Sequence, residues 1–142
     1  MAYSSMDMAK AFIQAGELLD ALDALNQQRA TESDDVTARR LRAEVAAHLD
    51  DATHRQAALH DLAALPQLEP ADYMLQAEIL QREGQSEAAL SALRAGYAAY
   101  PADERLAEAL VNRLQAAGEI AAAQAIVAAK LALDAEAWRW VA

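Results

Sequence analysis

Tyr73-Met74-Leu75-Gln76-Ala77-Glu78-Ile79-Leu80-Gln81-Arg82-Glu83-Gly84-Gln85-Ser86-Glu87-Ala88-Ala89-Leu90-Ser91-Ala92-Leu93 holds two apolar stripes separated by a glycine. Tyr73, Ala77 and Leu80 recur at i, i+4 and i+7, and beyond Gly84 the residues Leu90, Leu93, Tyr97 and Tyr100 recur at i, i+3, i+7 and i+10. Both spacings are those of one face of an α-helix. Gly84 is placed to end the first helix, Ser86 to cap the second and Pro101 to close the pair. The stretch reads as a helical hairpin.

Working outward, the glycines lie on a grid. The interval from Gly84 to Gly118 is 34 and that from Gly16 to Gly84 is 68, twice as long, with Asp50 at the missing node. A fixed period of this size marks stacked supersecondary units. The flanking residues repeat as well: Leu75-Gln76-Ala77-Glu78-Ile79 matches Leu41-Arg42-Ala43-Glu44-Val45 at an offset of 34. Ala88-Ala89-Leu90 with Leu93 matches Ala57-Ala58-Leu59 with Leu62, and Asp20-Ala21-Leu22 with Leu25. The match at Ala57-Ala58-Leu59 is offset by 31 rather than 34, which puts about three extra residues near Asp51-Ala52-Thr53-His54. The turn at Asp50 is therefore expected to be longer than the others and to need no left-handed residue. Helices are expected at 5–15, 17–30, 35–49, 53–65, 71–83, 86–99, 103–117 and 120–133.

Composition fits a helical chain. Only four glycines and three prolines interrupt 142 residues, and 39 are alanine, the best intrinsic helix former. Half of the apolar residues are thus small, so the core has to be thin and closely spaced. There is no cysteine, hence no disulfide framework and no thiolate chemistry. The uncharged run from Ile120 to Ala129 falls well short of the roughly 20 apolar residues of a membrane span. Met1-Ala2-Tyr3-Ser4-Ser5 lacks the basic start of a signal peptide. A soluble protein with the cytoplasm as default compartment is expected, without membrane contact. A formal net charge of -10 repels phosphate backbones, which disfavours nucleic acid as a partner.

The residues of the third unit resemble the tetratricopeptide repeat, a 34-residue helical pair. Tyr73 stands in the first aromatic place, Ala77 in the small place and Leu80 in the tyrosine place, followed by Gly84, Ala89, Leu93, Gly96 and Pro101. The Leu-Gly dipeptide of the family is absent throughout, and Val111 takes the small place of the fourth unit. The resemblance implies an all-α fold, antiparallel helix pairs stacked as a right-handed α-solenoid, in one domain spanning 1–142. Its units fall at about 3–33, 34–69, 70–102 and 103–134, with 135–142 as a partial fifth unit or cap. Small residues are needed where two helices cross most closely, and Ala21, Ala58, Ala89 and Ala123 are the expected crossing points.

That resemblance further implies a non-enzymatic protein-interaction scaffold, needing no cofactor and holding a protein or peptide segment on the concave face lined by the first helix of each pair. Mapped onto this sequence, the face comprises Met6, Lys10, Ile13 and Gln14 in the first unit, then Arg40, Glu44 and His48 in the second. Met74, Glu78 and Arg82 follow in the third, and Glu108, Asn112 and Gln115 in the fourth. The Lys/Asn arrangement by which relatives clamp a terminal carboxylate is not reproduced. The alternative is a regulatory, assembly or dimerisation domain cut from a larger protein, making contact through its C-terminal edge. There Trp138 opens what reads as a fifth unit, and with Trp140 it offers an aromatic edge to a second copy of the chain.

Catalytic motifs are missing: no phosphate-cradling glycine loop, nucleophile elbow or paired-histidine metalloprotease helix is present. His48, His54 and His60 are evenly spaced by six, but six residues advance a helix by about 240°, so they share no face and no metal site is expected. The pairs Asp34-Asp35 and Asp50-Asp51 precede expected helices, where carboxylates cap free amides.

Overall fold

The computed structural model describes residues 4–31 and 36–139, with the side chains of 28–31 and 136–139 left aside. The described residues form helices α1 (Ser5–Gln14), α2 (Leu18–Thr31), α3 (Val36–His48), α4 (Ala52–Ala63), α5 (Pro70–Arg82), α6 (Ser86–Ala99), α7 (Glu104–Ala116) and α8 (Ile120–Arg139). Consecutive helices pack pairwise, and α3, α5 and α7 also touch one another as the first helices of successive pairs. The chain is a translational stack of helical hairpins.

Each hairpin turn spans three residues. In three of them the central residue is a glycine in the left-handed region, Gly16, Gly84 and Gly118 at φ 78°, 77° and 79°. The hydrogen bonds of these turns repeat: Gly84 N–H donates to Gln81 O at 3.1 Å and Gln85 N–H to Leu80 O at 2.9 Å. Gly16 and Glu17, and Gly118 and Glu119, do the same toward Ile13 and Phe12, and toward Gln115 and Leu114. The last carbonyls of each first helix are thereby satisfied before the chain reverses.

Asp50 needs no positive φ, as expected, but its turn is not longer. The three extra residues lie inside α4. The crossing alanine is the fourth residue of α2, α6 and α8 (Ala21, Ala89, Ala123) and the seventh of α4 (Ala58). Three residues turn a helix by about 300°, close to one full turn, so α4 starts one turn early and keeps its buried face. Asp51 makes that early start possible: its side chain accepts from His54 N–H at 2.8 Å. The role expected of Asp50-Asp51 thus falls to Asp51, while Asp34-Asp35 lie outside the described residues.

Two further expectations are corrected. Ser86 is the first residue of α6 rather than its cap, and its hydroxyl instead accepts from Gln81 Nε2 at 3.3 Å. The described residues from Ala135 to Arg139, expected as a partial fifth unit or cap, continue α8 unbroken. No glycine or proline follows Gly118, and the alanine-rich composition propagates the helix. Trp138 lies in this extension, where only backbone is described, and Trp140 lies outside the described residues.

The four crossing alanines are buried to within 1% of full. Leucines fill the spaces beside them, in two apolar clusters. One joins α1 to α4 around Leu25 and Leu62 and takes in Ile79 of α5, while the other joins α5 to α8 around Leu93, Leu106, Leu110 and Leu114. Polar bonds reinforce the seam between the clusters. Arg40 Nε donates to Asp72 Oδ1 and Oδ2 at 3.0 and 3.1 Å, Arg55 pairs with Glu83, and Arg82 Nη1 donates to Ala47 O at 3.2 Å. A candidate groove opens over this seam.

Candidate functional site

The groove runs along the first helices of the second, third and fourth hairpins and has a volume of about 560 Å³. α3 contributes Glu44, α5 contributes Ala71, Asp72, Met74, Leu75, Ala77, Glu78, Gln81 and Arg82, and α7 contributes Arg105, Ala109 and Arg113. Leu93 of α6 closes part of the floor. The middle is apolar and the walls are charged.

Four of the residues mapped from the repeat, Glu44, Met74, Glu78 and Arg82, come together here. Arg40 borders them but is engaged: besides Asp72, it reaches Gln67 O at 3.3 Å and Glu69 at 3.8 Å. His48 is exposed one turn beyond Glu44, with its Nδ1 2.7 Å from the Glu44 carbonyl. In the first hairpin, Met6 and Ile13 pack against the first apolar cluster, while Lys10 and Gln14 are exposed away from this groove.

On α7 the mapped residues Glu108, Asn112 and Gln115 are exposed but do not line the groove. A groove between two neighbouring helices is walled by opposite flanks of the two. α7 turns its Arg105, Ala109 and Arg113 edge toward α5, and one repeat period relates that edge to Ala71, Leu75 and Ile79 on α5. Leu75 and Ile79 pack toward the α1–α4 cluster, while Ala71 and Leu75 also line this groove. Copying positions 74 and 78 forward by one period gives Glu108 and Asn112, and Gln115 is the counterpart of Gln81; Glu108 and Gln115 border shallow apolar grooves against α8.

The charges are unevenly satisfied. Asp72 is 3% exposed and held by Arg40, whose guanidinium pKa is raised first by that hydrogen bond. Glu78 pairs with Arg82 at 2.9 Å. Glu44 has its carboxyl pKa raised, first by desolvation and then by the charge of Asp72, with Arg40 and His48 acting against the shift. Across the groove Arg105 has, among the described residues, only Asp103, 3.9 Å away. Arg113 makes no side-chain ion pair or hydrogen bond among the described residues. One wall thus carries two guanidinium groups with unused donors.

Elsewhere the candidate chemistry resolves into structure. Asp61, 1% exposed, receives Arg42 through two nitrogens, with Nε to Oδ2 at 2.6 Å, and Arg42 Nη1 also donates to Asn26 Oδ1 at 2.9 Å. His54 pairs with Asp51, whose carboxyl pKa is lowered mainly by the His54 backbone N–H. Among the described residues no group of three or more His, Asp or Glu is placed to hold a metal ion, and no helix is long and apolar enough to cross a membrane.

Comparison with known proteins bears on the architecture. A crystal structure of MamA matches with a TM-score of 0.77 at 18% identity, over 97% of this chain and 80% of that one. A second crystal structure of MamA matches with a TM-score of 0.73 at 17% identity, over 87% and 67%. This chain has a tetratricopeptide-like helical-solenoid fold. No family model matches it, and neither does any curated protein. At such identities the likeness concerns the fold alone.

Proposed function

We propose that the chain is a non-enzymatic interaction scaffold that holds a segment of a partner protein in the groove between α3, α5 and α7. The observation that carries this reading is the groove itself: an apolar middle of Met74, Leu75, Ala77 and Ala109 between charged walls, along the first helices of successive hairpins. Such a surface gives a segment apolar burial along its centre and orientation from its edges. A photo-crosslinking amino acid placed at Met74 in the source cells tests it. The expected result is covalent capture of one short stretch of a partner, mapped by mass spectrometry and abolished by a groove-filling Ala109→Trp. Capture that Ala109→Trp leaves unchanged would overturn the reading.

A second reading has its own observation. On α8, Ile120, Val127, Leu131 and Leu133 are 44–63% exposed, and Val127 and Leu131 border two apolar grooves. This edge suits a regulatory or assembly contact, including one with a second copy of the chain. The same crosslinker at Leu131 separates the readings: cross-linked dimers, or partner capture there and none at Met74, support the edge.

A further inference from the structure

The α7 wall of the groove carries two arginines with little pairing among the described residues. Arg40 and Arg82 are committed to Asp72 and Glu78, whereas Arg105 and Arg113 keep most of their donors free. They lie eight residues apart on one helix, about 12 Å along its axis, with Ala109 midway between them. Glu87 borders the neighbouring cleft beside Arg113 and forms no ion pair with it. Opposite Ala109, Met74 and Leu75 supply apolar surface.

An extended chain rises about 3.3 Å per residue and repeats its side-chain direction every second residue, so about 12 Å is the span between positions i and i+4, with i+2 pointing the same way. Guanidinium groups favour carboxylates through paired, charge-assisted hydrogen bonds. A phosphate backbone would meet Glu44, Glu78 and the net charge of -10 along its length, whereas a peptide can confine its acids to two points.

We propose that this groove selects an extended peptide segment of the pattern acidic–x–apolar–x–acidic, its carboxylates seated on Arg105 and Arg113 and its apolar side chain over Ala109 against Met74. The proposal rests on the groove reading above and adds the class of ligand to it.

The test uses the full chain and fluorescein-labelled synthetic nonapeptides with a central Glu-x-Leu-x-Glu. Controls carry glutamine or lysine in place of both glutamates, or the glutamates moved next to each other, and one arm is a labelled single-stranded oligonucleotide. Binding is read by fluorescence anisotropy, and its place by the NMR shifts of the Ala77 and Ala109 methyl groups. The acidic peptide is expected to bind about tenfold more tightly than its glutamine counterpart, with the difference lost in an Arg105→Gln, Arg113→Gln double variant and shrinking as salt rises. Both arginines are exposed, so the variants should melt like the parent. If glutamine or lysine peptides move the Ala77 and Ala109 signals as strongly as the acidic one, the ligand class is overturned and the groove reading survives. If no peptide moves those signals, or only the oligonucleotide does so, both are overturned.

Discussion

Gly96 of α6 faces Tyr73 of α5 with no room for a methyl group between them: a Cβ on Gly96 would lie 2.9 Å from both Cβ and Cγ of Tyr73 and 3.0 Å from Cδ2 of Leu106. Glycine costs a helix interior up to about 1 kcal/mol relative to alanine. Its presence in α6 marks where the crossing is too close for any side chain. Gly96→Ala should therefore destabilise, by a net ~1–2 kcal/mol, because Tyr73 Cβ is anchored to its own helix and the overlap outweighs the propensity gain. A urea midpoint unchanged or raised would show that the helices slide apart at little cost.

Ala89 sits at the other close crossing of the same pair and is 0% exposed. Ala89→Leu adds three carbons at a contact filled on both sides, and a loss of about 1–3 kcal/mol is expected by chemical denaturation. Ala95 on the same helix is exposed, and Ala95→Leu should leave the midpoint within about 0.5 kcal/mol. Equal effects at the two positions would mean that the packed face of α6 is misassigned.

How much is legible from the sequence follows from what a repeat period encodes. The period places the hairpins, the three left-handed glycines and the crossing alanines, because each depends only on positions within one helix or one turn. It misplaces the extra residues before Ala58, since three residues are nearly a helical turn and can vanish into α4 without disturbing its apolar face. The residues it maps on α7, Glu108, Asn112 and Gln115, do not line the groove between α5 and α7. The pairing of Arg40 with Asp72 is hidden for another reason: the two positions are not related by the period, so an ion pair between units leaves no periodic trace. From sequence alone Arg40 therefore reads as a free groove cation.

Arg42 and Asp61 make the most deeply buried ion pair among the described residues, with Asp61 1% and Arg42 17% exposed. Removing Arg42 takes from Asp61 a guanidinium that reaches it through two nitrogens in a desolvated place. Arg42→Ala should cost ~3 kcal/mol, detectable as a large drop in melting temperature. Replacing both residues by apolar ones of similar volume should recover most of the loss, since the pair itself adds little net stability once desolvation is counted. No recovery in the double variant would assign the loss to the Arg42–Asn26 hydrogen bond instead.

Glu44 gives a pH signature to the groove. Its carboxyl pKa lies above the ordinary 4.5, raised first by desolvation and then by Asp72. A raised folded-state pKa means that the folded protein holds this proton more tightly than the unfolded chain. The associated stability is complete below the ordinary value and is lost as pH rises through the folded one. Glu44→Gln mimics the protonated form, so the variant should match the parent below about pH 4 and melt higher than the parent at pH 7. Because Glu44 is exposed, solvent screening keeps the gain small. A lower melting temperature for the variant at pH 7 would mean that Arg40 and His48 more than offset the burial of Glu44 and the charge of Asp72, reversing the sign argued here.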